Sequence, residues 1–153
     1  MRLTAPSAIP DDAPRPWVFL SGPIDRGLFG GGWRARVARA LADREGLLID
    51  LTRRDWAGHW DTDDSAEPFR SQVLWELAAL ERADRILCCF TTSSPAPVSL
   101  LEFGLYAKSG RLDVVCPRRY RNAGHVRLVA QAAGAALYDD LASWIEAARD
   151  QFP

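Results

Sequence analysis

Apolar and polar positions follow two rhythms along this chain. Short apolar runs bounded by turn residues recur at "WVFLSG" (Trp17–Gly22), "GLLIDL" (Gly46–Leu51), "RILCCF" (Arg85–Phe90), "LDVVC" (Leu112–Cys116) and "AALY" ahead of Asp139. Runs of this length without a polar face predict strands covered on both sides. Segments with helical spacing lie between them. Val37, Ala40 and Leu41 share one side of Trp33–Arg44, and Phe69, Val73, Leu77 and Leu80 recur at helical intervals from Pro68 onward. "PVSLLEFGLYA" (Pro97–Ala107) is an apolar helix, a weaker helix covers His125–Ala133, and a last one starts from Asp139.

Strands that alternate with helices point to an α/β class, because parallel strands need such crossovers. The expectation is a mostly parallel sheet of about five strands with helices on both faces. Ligands in such sheets bind beyond the carboxyl ends of the strands. Those ends are residues 21–26, 51–55, 90–99 and 117–122, and each carries polar groups. Pro6, Pro10, Pro14 and Pro16 remove ladder donors from the start of the chain, so residues 1–16 read as a flexible arm ahead of one domain, 17–153.

Composition narrows the partners. Nineteen basic residues against twenty acidic ones give a net charge of −1, which offers nothing to a nucleic acid polymer. No apolar stretch approaches the ~18 residues of a membrane span, so no membrane partner is expected. The three cysteines include the adjacent pair Cys88 and Cys89 inside an apolar run, which argues for reduced thiols, a cytoplasmic address and no metal framework. Pro23 spoils any match of "SGPIDRG" to a dinucleotide fingerprint, and no cofactor is expected.

The candidate chemistry sits at the strand ends. Ser99 and Glu102 are spaced as an S-x-x-E capping box, which would place Glu102 in the first turn of its helix. There the helix dipole favours the ionised form by roughly 0.3 to 1 kcal/mol, so capping and use as a nucleophile are compatible. Gly104 and Tyr106 behind it suggest close approach of something to that helix face. Glu76, in "VLWELAAL", is either on a wet face or near Glu102 as a second carboxyl with its own task. In the first loop Gly22 permits close backbone approach, and Asp25 or Arg26 could hydrogen-bond a ligand. "TTSSPAPVS" is either a plain turn or a phosphate site built from Ser93, Ser94 and Ser99. Trp33 and Trp75 are the tryptophans expected at a pocket. His59 reads as a surface residue or one that closes over a ligand, and His125 as structural.

"VFLSGPIDRG" followed by "WR", then "QVLWELAALERADRILCCF" and "PVSLLEFGLYA", resembles the nucleoside 2-deoxyribosyltransferase superfamily, over about Trp17 to Val115. The resemblance implies a Rossmann-like or flavodoxin-like three-layer sandwich and cleavage of the N-glycosidic bond of a nucleoside or nucleotide. It implies that Glu102 attacks the anomeric carbon and that Glu76 contacts the base or supplies its proton, although relatives often carry aspartate at the Glu76 position. The loop with Gly22, Pro23, Ile24, Asp25 and Arg26 would lie beside base or sugar, and Arg53 or Arg54 would clamp ligand or a neighbouring subunit. It implies at least a homodimer. Hydrolysis and base transfer stay level, and the alternative is a nucleotide-binding or regulatory domain without turnover.

Overall fold

The computed structural model describes residues 1–24, 32–53 and 61–153. In chain order the elements are β1 (Arg2–Thr4), β2 (Trp17–Ser21), α1 (Trp33–Ala40), β3 (Leu47–Asp50), α2 (Phe69–Arg82), β4 (Arg85–Cys89), α3 (Pro97–Tyr106), β5 (Leu112–Val115), α4 (Ala123–Ala133), β6 (Ala136–Tyr138) and α5 (Leu141–Gln151). The strands form one sheet in the order β1-β3-β2-β4-β5-β6, and every pairing is parallel. Without β1 this is the 2-1-3-4-5 order of a flavodoxin-like doubly wound sheet. The expected α/β sandwich is therefore present, with six strands where about five were expected.

Pleating sorts consecutive strand residues onto opposite faces. Trp17, Phe19, Ile86, Cys88 and Val114 enter one core with Leu80, Phe103, Tyr120 and Val126. Val18, Leu20, Leu87, Cys89 and Val115 enter the other, where Val37 of α1 and Trp144 of α5 cover them. β2 from Trp17 to Leu20 and β4 from Ile86 to Cys89 are thus apolar because both their faces are buried, with Ser21 and Arg85 as the polar ends. The same pleat separates Cys88 from Cys89; both thiols are free and buried, and burial pushes Cys89 up to about 12. Among the described residues no group of His, Cys, Asp or Glu could hold a metal, and no helix is long and apolar enough to cross a membrane.

The segment expected as a loose arm joins the fold. Arg2–Thr4 pairs with Leu48–Asp50 of β3, and Arg2 adds an ion pair to Asp50 at 2.5 Å. Further along, Trp17 Nε1 donates to Ala13 O at 3.1 Å and Trp75 Nε1 to Ser7 O at 2.9 Å. A strand of three residues with a polar first position gives no apolar run to read, and backbone pairing at an edge does not need one.

The face of α2 also differs from the one read by spacing. Leu77 is 41% exposed and Leu74 51%, while Gln72, Ala79 and Leu80 are buried. The C-terminal half of α2 packs on the sheet and its first two turns look elsewhere, into a cavity.

Candidate active site

Strand order reverses at β2, whose neighbours β3 and β4 lie on either side, so a crevice opens beyond its carboxyl end. A cavity of about 490 Å3 lies there, a size that suits a small molecule. Its walls come mainly from three places, with Leu51 after β3 adding to them. Gly22, Pro23 and Ile24 follow β2; Phe69, Gln72, Val73 and Glu76 form one face of α2; Ser93, Ser94, Ser99 and Glu102 follow β4. The α2 residues are spaced i, i+3, i+4, i+7, which is one helical stripe.

Glu102 is not a cap. Helix α3 starts at Pro97 after Ala96, whose φ of 45° is left-handed, and no side chain caps its end. Ser99 is therefore the third helical residue and Glu102 stands in the second turn, beyond the reach of the end dipole. Instead Ser99, Glu102, Phe103 and Tyr106 form the buried stripe of α3. Glu102 is only 5% exposed, and Ser21 at the end of β2 donates its hydroxyl to Glu102 Oε2 at 2.5 Å. Burial pushes the carboxyl up to about 7; the Ser21 bond opposes this, the nearby charge of Glu76 adds to it, and Arg34 opposes it.

Glu76 is half-buried and faces the same cavity, so it is not on a wet face. Its Oε1 accepts from Gln72 Nε2 at 2.7 Å, and Gln72 is itself tied to Leu51 O at 3.0 Å. Burial raises the Glu76 pKa, with the Gln72 bond and Arg34 opposing.

The first loop is held from below. Arg34 of α1 is 5% exposed, and its guanidinium donates to the carbonyls of Pro23 at 2.5 Å, Gly22 at 2.8 Å and Leu20 at 3.1 Å. Its Nε lies 3.2 Å from Asp50 Oδ1, an ion pair without hydrogen-bond alignment. Burial lowers the Arg34 pKa to about 10, so it remains a cation at neutral pH. Trp33 Nε1 also donates to Pro23 O, at 3.1 Å. Gly22 has φ +156°, and a Cβ there would stand 2.6 Å from the Trp33 ring and 2.7 Å from Cys89 O. The close approach that requires glycine is thus protein on protein.

Several expected site residues change place on this basis. Trp33 supports the loop and is not among the described residues that line the cavity. Trp75 turns to Ser7. Gly104 has open space where a Cβ would stand, so nothing presses on that helix face, and Tyr106 donates to Glu81 at 2.7 Å. Arg53 Nη1 reaches Gln72 Oε1 at 3.5 Å. Asp25, Arg26, Arg54 and His59 lie outside the described residues. His125 is exposed on α4. Sequence reasoning missed Ser21, Gln72 and Arg34; the signal for Ser21 was its place as the last polar residue of a buried strand.

These features define a doubly wound α/β protein with a small-molecule cavity at its switch point, walled by two carboxyls of raised pKa. Residues 15–120 match the family model described as nucleoside 2-deoxyribosyltransferase like, and the chain belongs to that family. No curated protein matches the chain at a significant level. The family acts on nucleoside small molecules and its membership points to transferase-type chemistry.

Proposed function

We propose that this protein cleaves or exchanges the N-glycosidic bond of a nucleoside or nucleoside 5′-monophosphate through a covalent glycosyl-Glu102 intermediate. The observation that carries this reading is the buried Glu102 carboxyl, oriented by Ser21 in the cavity that Glu76 also lines. The Glu102 carboxylate attacks the anomeric carbon as the bond to the base breaks. The bonding electron pair leaves with the base, and the Glu76 carboxyl donates a proton to it. Water or a second base then attacks the anomeric carbon, the Glu102–sugar bond breaks, and Glu76 takes up the proton released.

Pre-set geometry supports each role. Ser21 at the end of β2 and Gln72 on α2 each hold one of the two carboxyls, and both carboxyls are shielded enough from water to hold protons above the ordinary range. A carboxyl near pH 7 balances ionised and protonated forms, which suits a pair that must present one of each.

Self-association belongs to this reading. Val98, Leu101 and Leu105 of α3 are 59%, 65% and 62% exposed, and Val98 also lines the cavity. An apolar stripe that starts at the cavity mouth suits a second copy that helps close it.

The deciding experiment incubates the protein with nucleosides and 5′-monophosphates, with and without an acceptor base. Free base release, and a glycosyl adduct found on the Glu102 peptide after acid quench, are the expected results. Failure to release base from any of the panel would overturn the reading.

A further inference from the structure

A second groove, of about 210 Å3, adjoins the cavity and shares Ser93 and Ser94 with it. Its walls are Thr92, Ser93, Ser94, Pro95, Arg119 and Arg121, so among the described residues it offers hydroxyls and two guanidiniums but no carboxylate. The arrangement is built from beneath. Tyr120, 3% exposed, stacks on Phe90 at 4.9 Å between centroids and donates its hydroxyl to Pro95 O at 2.6 Å. That bond clamps the turn after β5 to the loop after β4. With Tyr120 pointing inward, its two neighbours Arg119 and Arg121 flank the groove.

These arginines differ from seven others in the chain. Arg2, Arg15, Arg34, Arg82, Arg85, Arg127 and Arg149 each form an ion pair with an aspartate. Arg119 and Arg121 form no hydrogen bond or ion pair among the described residues, and both are exposed. In a chain of net charge −1, two such cations beside serine hydroxyls make a local anion site. Ser99, on the buried face with Glu102, belongs to the cavity and not to this groove.

We propose that Arg119 and Arg121, with the hydroxyls of Ser93 and Ser94, bind the phosphate of a nucleoside 5′-monophosphate whose sugar lies at Glu102. The inference rests on the glycosidic reading above and makes the phosphorylated nucleotide the preferred substrate. The shared wall carries the argument: a ligand seated in the cavity that extends past Ser93 and Ser94 enters the groove lined by Arg119 and Arg121. An arginine fork pairs with two phosphate oxygens at once, which gives orientation as well as attraction.

The test compares each 5′-monophosphate with its nucleoside, in the parent and in an Arg119→Ala/Arg121→Ala double variant. Both side chains are exposed, so the fold should survive. The parent's kcat/KM should favour the monophosphate by at least about tenfold, and the variant should lose at least about tenfold of that ratio. Because the groove is open, the preference should also shrink as KCl rises from about 0.05 to 0.5 M. Equal use of both substrates, or a preference that survives in the variant, would overturn the phosphate site while leaving the glycosidic reading standing. Calorimetric binding to Glu102→Gln protein covers the opposite case. If no base is ever released, yet the monophosphate binds and the double variant does not bind it, the glycosidic reading falls and the anion site stands. Inorganic phosphate binding as tightly as the nucleotide would overturn the assignment to a nucleotide.

Discussion

Two carboxyls are buried at the carboxyl end of this sheet, and their partners differ. Asp50, the last residue of β3, is fully enclosed, with Arg2 at 2.5 Å, Arg34 Nε at 3.2 Å and the Thr52 amide donating to it at 3.0 Å. Glu102 is almost as deeply buried but has one neutral hydroxyl for a partner and an open cavity beside it. Arg34 is close enough to act on both, yet three of its hydrogen bonds go to backbone carbonyls. A carboxylate enclosed by cations ties β1, β3 and α1 together. One enclosed by a hydroxyl and apolar walls holds its proton up to about pH 7, where its protonation can change during a reaction.

Replacing each carboxyl by its amide should separate these roles most sharply. Glu102→Gln should lower glycosidic turnover by about a thousandfold or more, and residual turnover within about tenfold of the parent would remove Glu102 from the chemistry. Its stability should move the other way. Because the native pKa lies near 7 and the unfolded value near 4.5, the native state holds a proton that the unfolded chain has released between those pH values. Stability is therefore greatest below pH 4.5 in this respect and falls as pH rises through 7, by roughly 3 kcal/mol in all. The amide has no such loss, so at pH 8 the variant should melt at a higher temperature than the parent. Equal melting temperatures across pH 5 to 8 would mean that Glu102 is ionised throughout.

Asp50→Asn should do the reverse, and its effect is next in size. It leaves Arg34 buried without its counter-charge, which costs about 3 to 5 kcal/mol, read from urea unfolding. A loss below about 1 kcal/mol would mean that the guanidinium turns out to water.

The contrast between the two carboxyls also marks what the sequence could show. Glu102 was legible because the strand–helix alternation places it beyond the end of β4 among apolar neighbours, whereas for Glu76 a wet face stayed open and the family resemblance singled it out. The helix start was misread because Ser99 offers a plausible cap; Pro97, suited to a first helical position, was the better signal. Gln72 could have been found from its i,i+4 spacing to Glu76 on the stripe with Phe69 and Val73. Arg34 and Asp50 could not, since guanidiniums are rarely buried and nothing local in the fifteen intervening residues couples them. The groove at Arg119 and Arg121 depends on Tyr120 meeting Pro95, a contact between loops that follow different strands.

A smaller effect should follow from removing the hydroxyl that distinguishes Glu102 from Asp50. The charge of Glu76 adds to the raised pKa of Glu102; the proposed productive state carries one proton on Glu76 and none on Glu102, so kcat/KM should be bell-shaped in pH. The Ser21 bond favours ionised Glu102. Ser21→Ala should move the shared proton toward Glu102 and lower the maximum of the profile by about tenfold, the worth of a hydrogen bond to a charged group.

The smallest expected effect has the opposite sign. Gln72 donates to Glu76 and thereby favours ionised Glu76, the form that cannot protonate a leaving base. Gln72→Met keeps the length of the side chain but has no donor, so the shared proton should move toward Glu76. The maximum of the pH profile should then hold or rise by about a few-fold, because a neutral amide bond is worth less than a charged one. Stability should drop by about 1 to 2 kcal/mol, since Leu51 O loses its buried donor. Measured side by side, Ser21→Ala and Gln72→Met both raise the proton affinity of the pair, so both profiles move to higher pH. Only the heights of the maxima differ in direction, and that difference assigns the two roles. A lowered maximum in Gln72→Met with an unchanged one in Ser21→Ala would exchange them, making Glu76 the nucleophile and Glu102 the proton donor.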